Sequence, residues 1–372
     1  MWGNPADRDP FAPLTGRVRA DVCVIGLGGS GLAAIDELTG ASVTVVGLDA
    51  GPVGGGAAGR NAGFLLAGLA DFHHVAVRTL GRERAAGLYR LTLAELDRLE
   101  ADLPGLVRRR GSTRVANDEE EADDLAAHAD ALVADGFAAE LVGHPGGARL
   151  VVPSDGEVDP LARCRLAAAR AASAGARLYT HSPALEVGGD RVRTPAGEVA
   201  CTAVVVAVDG GLETLLGELT ASVRSTRLQM LATSPCAAAV ADRPVYARYG
   251  YDYHRQLPDG RVVLGGARDQ HAAAEWGALP EPSGPVQADL DRMLADLGVD
   301  APVTHRWAGV VAYTADRMPV LAEVRPGVMA VGGYCGTGNV VGPVAARAAA
   351  AIVLGRPAPL AARLLRPEHW DT

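Results

Sequence analysis

The chain has 372 residues, 48% of them hydrophobic, and a formal net charge of −9 at neutral pH. This length suggests two domains or one large one, and the acidic balance argues against nucleic acid as a partner. No apolar run approaches the roughly 20 residues needed to span a bilayer, and no charged segment followed by an apolar one resembles a signal peptide. We therefore expect a cytoplasmic protein with no membrane partner.

Residue usage also limits the chemistry. Five cysteines are scattered without a C-x-x-C spacing, so the sequence predicts reduced thiols and neither a disulfide framework nor a metal site. The sequence contains no lysine, and every basic side chain other than histidine is arginine. Catalysis through a Schiff base on a side-chain amine is therefore excluded.

The first predicted elements form an α/β unit. Residues 22–25 read as a buried parallel strand, and residues 32–38 read as an amphipathic helix. The glycine-rich turn GLGGSG joins them, and a second apolar strand follows over residues 43–48. A strand, a glycine-rich turn, a helix and a second strand are typical of dinucleotide-binding folds.

Three glycines of this turn, at the G-x-G-x-x-G spacing, each have a physical role in such a fold. Gly26 makes the tight turn, Gly28 lets the backbone reach a pyrophosphate, and Gly31 lets the helix pack close to the strand. Asp49 ends the second strand, 18 residues after Gly31, where a carboxylate accepts from a ribose hydroxyl. The motif predicts dinucleotide binding but does not choose between NAD and FAD.

The stretch GPVGGGAAGRNAGF, residues 51–64, is a second glycine-rich segment, with six glycines among its fourteen residues. Glycine is entropically costly unless the backbone must approach another group closely. We interpret it as a separate loop that follows the pyrophosphate. Arg60 and Asn61 then supply charge and hydrogen-bonding groups.

The middle of the chain changes character. Helical periodicity follows residue 64, and alternating segments between residues 222 and 270 predict an antiparallel sheet. Tyr251, Tyr253 and Arg255 fall on one face of a predicted strand. They are predicted either to line a pocket for a polar small molecule or to form ordinary cross-strand packing. His73 and His74 are interpreted either as titrating groups beside a substrate or, preferably, as exposed helix residues.

A third glycine-rich segment lies near the end of the chain. Residues 328–331 predict a short strand, GGYCGTGN follows as a loop, and Pro343 suits the first turn of a helix. An NAD site has no need of this loop and the helix that follows it. A flavin does, because its pyrimidine edge becomes anionic on reduction and a helix N-terminus stabilises that charge.

With these segments in place, the sequence resembles the D-amino-acid-oxidase-like superfamily of FAD enzymes, which includes glycine oxidase, sarcosine oxidase and gamma-glutamylputrescine oxidase. The segments GAAGRNAGF and WAG most resemble the gamma-glutamylputrescine oxidase branch. The matching motifs occur in the family's order: VIGLGGSGLAA, Asp49, GGGAAGRNAGF, VVVAVDG, YHRQLPDGRVVLGG, WAGVVAYTADRMPV and GGYCGTGN.

The resemblance implies a Rossmann-like α/β FAD-binding domain from residues 17–75, 146–222 and 305–372, and a discontinuous antiparallel-sheet substrate domain from residues 76–145 and 223–304. It also implies a set of residues that contact FAD: Gly26, Gly28, Gly29, Ser30, Gly31, Asp49, Ala50, Arg60, Asn61, Ala62, Gly63, Val187, Ala207, Gly333, Cys335, Gly336, Thr337, Gly338, Asn339 and Val340. The candidates for the substrate pocket are Tyr251, Tyr253, Arg255, Trp307 and Tyr313.

The sequence departs from the family's pattern at three points. An arginine that holds a substrate carboxylate is expected just after WAG, but Val310, Val311 and Ala312 stand there, so a simple α-amino acid is disfavoured unless Arg255 or Arg268 takes that role. The lysine that assists oxygen in sarcosine-type oxidases is missing. No residue clearly matches a covalent flavin attachment, and Cys335 is interpreted as a packing residue.

The implied reaction is oxidation of a C–N bond in an amine or amino-acid-like molecule. Hydride passes from the carbon beside the nitrogen to flavin N5, which leaves an imine, and O2 is expected to reoxidise the flavin. This chemistry needs no strong side-chain base, because the cofactor carries it and the protein orients and tunes it. The alternative is a flavin dehydrogenase or tailoring enzyme that desaturates a C–N bond of a specialised metabolite with another electron acceptor. An NAD-linked dehydrogenase or a nucleotide sensor is disfavoured, because neither would need the GGYCGTGN loop and the helix that follows it.

Overall fold

A computed structural model describes residues 10–143, 147–366 and 368. Its strands, in chain order, are β1 (Gly16–Arg19), β2 (Val22–Ile25), β3 (Val45–Leu48), β4 (Phe64–Leu65), β5 (Ser112–Val115), β6 (Glu140–Val142), β7 (Arg149–Val152), β8 (Gly156–Glu157), β9 (Arg177–Tyr179), β10 (Glu186–Val187), β11 (Arg191–Arg193), β12 (Gly197–Ala200), β13 (Ala203–Val206), β14 (Val223–Pro235), β15 (Val245–Ala247), β16 (Asp252–Gln256), β17 (Arg261–Gly265), β18 (Val303–Thr314), β19 (Val320–Arg325) and β20 (Val328–Gly332).

The α-helices are α1 (Gly29–Gly40), α2 (Ala57–Arg60), α3 (His73–Leu80), α4 (Arg82–Asp102), α5 (Glu119–Ala134), α6 (Pro160–Ser173), α7 (Leu212–Leu215), α8 (Ala272–Glu275), α9 (Gly284–Asp296), α10 (Val341–Val353) and α11 (Leu360–Leu365). Short 3₁₀ turns lie at Gly217–Leu219, Arg248–Gly250 and Asp269–His271. Among the residues described, no helix combines the length and apolar character needed to cross a membrane. The cytoplasmic location stays a prediction.

The chain divides into two compact units. The parallel-sheet unit comprises Trp2–Arg60, Asp159–Ser225 and Val311–Thr372, as far as these ranges are described, and the mixed-sheet unit comprises Asn61–Val158 and Thr226–Val310. The divisions fall within the GRNAG segment and within β14 and β18. The assignment of cofactor and substrate to separate domains remains a prediction.

The parallel-sheet unit contains a six-stranded sheet of order β19-β20-β13-β2-β3-β9, in which only β19 runs antiparallel to its neighbour. All four residues of β2 and of β3 are buried, as a parallel strand covered on both faces requires. The helix α1 packs against α10, and Asp36 of α1 forms an ion pair with Arg347 of α10 at 2.9 Å. A smaller sheet of order β1-β12-β11-β10 completes the unit's strands. The Rossmann-like α/β prediction is confirmed.

The mixed-sheet unit is built on an eight-stranded sheet of order β18-β14-β17-β16-β15-β5-β7-β6. Antiparallel pairing links β15, β16 and β17, and β5 joins β15 in parallel. Leu231 and Leu264 from this sheet pack with Val286 and Leu290 of α9, which forms the unit's apolar core. The helix α3 packs against α4 and α5 in the same unit.

Candidate cofactor and substrate sites

The β2–α1 turn has the steric features that its glycines predict. Gly26 has φ +105°, and a Cβ there would lie 2.5 Å from the Ala207 carbonyl oxygen. A Cβ on Gly31 would lie 1.8 Å from the Gly26 carbonyl oxygen, so only glycine permits this helix–strand approach. Gly28 and Gly29 remain partly exposed at the start of α1, where no side-chain cap is found among the described residues. These features fit a diphosphate at the N-terminus of α1.

Asp49 follows β3 directly and is tied to the same turn. Its carboxylate accepts from the Leu27 N–H at 2.7 Å and from the Gly51 N–H at 2.9 Å. A carboxylate at this place, directly after the second strand, is the group predicted to accept from a ribose hydroxyl. The bond to Leu27 was not foreseen from the sequence, and it makes Asp49 a support of the turn as well as a predicted ribose acceptor.

The GPVGGGAAGRNAGF segment folds back on itself at its start. Gly54 has φ +66° and donates to the Leu27 carbonyl oxygen at 3.1 Å, which ties the segment to the β2–α1 turn. A Cβ on Gly59 would lie 2.3 Å from the Gly54 carbonyl oxygen. Several of these glycines therefore allow the segment to pack on itself, an explanation that the sequence reading did not include. Arg60 ends α2 and is exposed.

The segment continues into the mixed-sheet unit after Arg60. Asn61 accepts from the Gly63 N–H at 2.7 Å, and Ala62 between them is buried. Gly63 has φ +75°, and a Cβ there would lie 2.0 Å from the Val158 carbonyl oxygen. The contacts of these three residues with FAD remain predictions.

The glycine-rich loop before α10 is held by an aspartate that the sequence reading did not select. Asp209 follows β13 and accepts from the Tyr334 N–H at 3.1 Å and from the Ala312 N–H at 3.2 Å. Burial raises the pKa of Asp209 to about 6, against the opposing effect of these backbone donors. Its place at the end of a buried parallel strand, in the motif VVVAVDG, is the signal that identifies it.

The loop itself winds through backbone that favours glycine. Gly333, Cys335 and Gly336 all have positive φ, and the Thr337 hydroxyl donates to the Tyr334 carbonyl oxygen at 2.7 Å. Val340 precedes α10 as its N-cap. The Cys335 thiol is buried against Thr314, and burial raises its pKa, which keeps it protonated. This environment is that of a packing residue.

Arg163 connects two predicted cofactor segments and was missed from the sequence. It lies in α6 with 5% of its surface exposed, and its guanidinium donates to the Asn339 carbonyl oxygen at 2.8 Å. A Cβ on Gly29 would lie 3.3 Å from its Nη2, so the same guanidinium borders the start of α1. An arginine inside an otherwise ordinary helix carries no local sequence signal, because only the fold brings these segments together.

The remaining predicted cofactor residues lie in turns, in α1 and at strand ends. Gly338 lies over the Tyr334 ring, where a Cβ would come within 2.9 Å. Ser30 is buried in α1, and its hydroxyl oxygen would lie 2.4 Å from a Cβ on Gly342 of α10. Ala50 follows Asp49, Ala207 donates to the Ile25 carbonyl oxygen at 2.8 Å, and Val187 ends β10 in the smaller sheet.

The predicted substrate residues on β16 contact other side chains and backbone of the mixed-sheet unit. Tyr253 pairs across the sheet with Tyr246, with ring centroids 5.9 Å apart, and also meets Phe64 at 6.1 Å. Arg255 is 1% exposed and donates to the Glu157 carboxylate at 3.1 Å and to the Val158 carbonyl oxygen at 2.8 Å. The carboxylate-binding role considered for Arg255 would require breaking this internal pairing.

Three further predicted substrate residues lie elsewhere. Tyr251 precedes β16, and the Arg268 guanidinium lies 5.4 Å from its ring centroid and 5.7 Å from that of Trp276. Trp307 is partly buried in the portion of β18 that belongs to the mixed-sheet unit. Tyr313 is in the parallel-sheet unit, and its hydroxyl lies 3.7 Å from a Cβ built on Gly336. The substrate roles of all three remain predictions.

The preference for an exposed His73 was wrong. His73 is 4% exposed, and its Nε2 lies 2.7 Å from the Asp135 carboxylate. His74 is partly buried, 3.4 Å from Asp124. The helical periodicity of this stretch did not reveal that α3 is covered on this side by α5.

Comparison with known proteins agrees with this geometry. The family model described as FAD dependent oxidoreductase matches residues 21–352. A probable oxidoreductase OrdL of Rhizobium meliloti (strain 1021) is 27% identical, over 94% of this chain and 86% of its own length. A gamma-glutamylputrescine oxidoreductase of Escherichia coli (strain K12) is 25% identical, over 93% of this chain and 86% of its own.

The structural comparison gives the same fold. Glycine oxidase from Geobacillus kaustophilus superposes with a TM-score of 0.74 at 23% identity, covering 91% of this chain and 95% of that one. The steric fit of the β2–α1 turn to a diphosphate and the match over most of the chain point to one cofactor, FAD. The chain therefore belongs to the FAD-dependent oxidoreductase family typified by D-amino acid oxidase, and it is an FAD-dependent oxidoreductase.

Proposed function

We propose that the enzyme oxidises the C–N bond of an amine or amino-acid-like small molecule. The carbon beside the nitrogen loses a hydride, the nitrogen lone pair forms the C=N bond, and the N–H proton is released, which leaves an imine. O2 takes up the two electrons and two protons and becomes hydrogen peroxide. Bound FAD supplies the hydride acceptor. The observation that carries the proposal is the convergence of two glycine-rich loops, because β2 and β20 flank β13 in the parallel sheet and both loops leave its carboxyl edge.

The chain's own groups have three roles in this proposal. The turn from Gly26 to Gly31 and the N-terminus of α1 receive the diphosphate. The N-terminus of α10 offers its positive dipole end to negative charge that develops on the cofactor, and Asp209 holds the loop that leads into it. The predicted FAD contacts of Arg60, Asn61 and the Gly333–Val340 loop, and the substrate contacts of Trp307 and Tyr313, belong to this proposal.

A second candidate is a dehydrogenase that desaturates a C–N bond and passes electrons to an acceptor other than O2. The observation that favours it is the absence of lysine from the whole sequence. The chain therefore offers no lysine ammonium group beside the cofactor to attract the negative charge that accumulates as O2 is reduced.

The test is a two-stage reaction with the purified holoenzyme. A panel of primary, secondary and carboxylated amines is mixed anaerobically, and loss of the flavin absorbance identifies a substrate; free FAD with the same amines is the control. Air is then admitted, and the recovery of absorbance and the hydrogen peroxide formed are measured. Bleaching followed by rapid recovery with stoichiometric peroxide supports the oxidase. Bleaching with slow recovery, accelerated by an artificial acceptor, supports the dehydrogenase, and failure of every amine to bleach the flavin refutes both.

A further inference from the structure

Arg163 is a buried cation of the parallel-sheet unit to which the proposed reaction gives no role. Its side chain belongs to α6 and is 5% exposed, and α6 packs against both α1 and α2. An arginine keeps its proton in proteins, so this is a permanent positive charge. Burying such a charge is costly unless acceptors or an opposite charge surround it.

The guanidinium of Arg163 borders the first residue of α1. A Cβ built on Gly29 would lie 3.3 Å from its Nη2, which is shorter than nearly all contacts of a real Cβ. A side chain at this position would therefore push the guanidinium away. Gly29 occupies one of the variable positions of the G-x-G-x-x-G fingerprint, where dinucleotide binding requires no glycine. The approach of Arg163 gives a physical reason for a glycine there.

The same guanidinium also holds the glycine-rich loop before α10. Its Nη1 donates to the Asn339 carbonyl oxygen at 2.8 Å, and Asn339 directly precedes Val340, the N-cap of α10. Arg163 therefore joins the turn predicted to bind the diphosphate to the loop predicted to contact the flavin.

The charge of Arg163 lies beside the place that suits a diphosphate. The N-terminus of α1 carries the positive end of the helix dipole, and among the described residues no side chain caps it. A charge in buried, low-dielectric surroundings acts on a nearby anion more strongly than an exposed charge does. Arg60, the arginine that the sequence predicts for this role, is exposed, so solvent and salt screen it.

We propose that Arg163 stabilises the diphosphate of bound FAD through its positive charge, in addition to holding the Asn339 loop. The inference rests on the diphosphate lying at the N-terminus of α1, as in the proposed function, and it is independent of the substrate and of the electron acceptor. A side chain that only held the loop would not distinguish ligands with and without phosphate. A charge acts on those ligands that carry the diphosphate.

The experiment measures the FAD that the holoenzyme releases on dilution, separated by ultrafiltration, with ADP and adenosine as competing ligands. ADP is the part of FAD that carries the diphosphate together with the adenosine, and adenosine lacks phosphate. Arg163→Gln removes the charge but keeps a donor for the Asn339 carbonyl oxygen. We expect this variant to bind FAD and ADP roughly tenfold or more weakly and adenosine as well as wild type does. Arg163→Lys is expected to recover most of the ADP affinity, because an ammonium group also binds phosphate.

Arg170→Gln is the matched control, because Arg170 is an exposed arginine further along α6. Unchanged ADP affinity in Arg163→Gln, an equal loss of ADP and adenosine affinity, no recovery in Arg163→Lys, or an equal ADP loss in Arg170→Gln would overturn the proposal. Thermal unfolding is recorded for each variant, and Arg163→Met replaces the glutamine variant if that one does not fold. Failure of both neutral variants to fold, while Arg163→Lys folds, would assign the charge to the fold and also overturn the proposal.

This binding assay contains no amine, so it is separate from the test of the proposed oxidation. Diphosphate binding that depends on Arg163, in a protein whose flavin no amine bleaches, would leave this inference standing and refute only the proposed oxidation.

Discussion

The two units differ in the kind of contact that defines their local structure. In the parallel-sheet unit the decisive contacts involve backbone, as where Gly31 leaves room only for hydrogen beside the Gly26 carbonyl oxygen. In the mixed-sheet unit they involve side chains, as where Arg255 is buried against Glu157. Backbone contacts depend on glycines at fixed spacing, which the sequence displays directly. Side-chain pairs join residues far apart in the chain, and no local pattern announces them.

The largest effect is expected where backbone leaves no room. Gly31→Ala would place its Cβ 1.8 Å from the Gly26 carbonyl oxygen, so α1 cannot keep its position and we expect loss of stable, FAD-loaded protein. Gly40→Ala, at the other end of α1, is the control, because nothing lies within 4 Å of a Cβ there. It is expected to change the free energy of unfolding by less than about 1 kcal/mol. Flavin content after purification and urea unfolding measure both; normal flavin content in Gly31→Ala would contradict the steric interpretation.

The next largest effect is expected at a buried ion pair in the mixed-sheet unit. Arg255→Met removes one of the two arginines that pair with the buried Glu157 carboxylate, the other being Arg108 at 2.8 Å. It also removes the donor to the Val158 carbonyl oxygen, and it is expected to lower the free energy of unfolding by about 3 kcal/mol or more. Arg261→Met is the control, since its partner Asp259 is half exposed and the pair contributes about 0.5 kcal/mol. A variant of Arg255 with wild-type unfolding but a raised KM would show that Arg255 contacts substrate instead.

Asp209 gives a smaller, pH-dependent effect in the parallel-sheet unit. Its pKa is about 6 in the folded protein and 3.8 by ordinary value, so the unfolded chain loses this proton first as pH rises. Stability is therefore lost as pH rises through the window from 3.8 to 6, by up to about 3 kcal/mol. Asp209→Asn should remove this slope. The free energy of unfolding of the variant, measured relative to wild type, is therefore expected to be higher at pH 7 than at pH 4. Unfolding measured from pH 4 to 7 checks it, and parallel curves for the two proteins would count against it.

The smallest effect concerns Cys335. Cys335→Ala is expected to cost about 1 kcal/mol, the loss of one small buried contact, and to leave flavin content unchanged. Acid precipitation should release the flavin from wild type and variant alike, because a buried, protonated thiol is a poor partner for a covalent bond. Flavin that stays with the wild-type precipitate and is released from Cys335→Ala would establish a covalent link.

Much of the parallel-sheet unit could be predicted. The strand over residues 22–25 is β2 as predicted, whereas the helix predicted over 32–38 begins at Gly29, because the glycines that opened the turn also form its first residues. The helix after Pro343 begins two residues earlier, at Val341. The candidate site was harder. The motif VVVAVDG signals Asp209 at the end of a buried parallel strand, but the backbone groups that Asp209 and Arg163 contact belong to distant segments.

By itself the sequence determined the parallel sheet and its two glycine-rich turns, and the GGYCGTGN loop with the helix after it predicted a flavin cofactor. These features are local, since a missing Cβ or an apolar run acts within a few residues of itself. Only the tertiary structure decided that Arg255 pairs with the buried Glu157 carboxylate, that His73 is buried with Asp135, and that Arg114 borders a cavity. Burial and ion pairing of a side chain are set by elements that pack against it from elsewhere in the chain, and composition and periodicity do not record which elements those are.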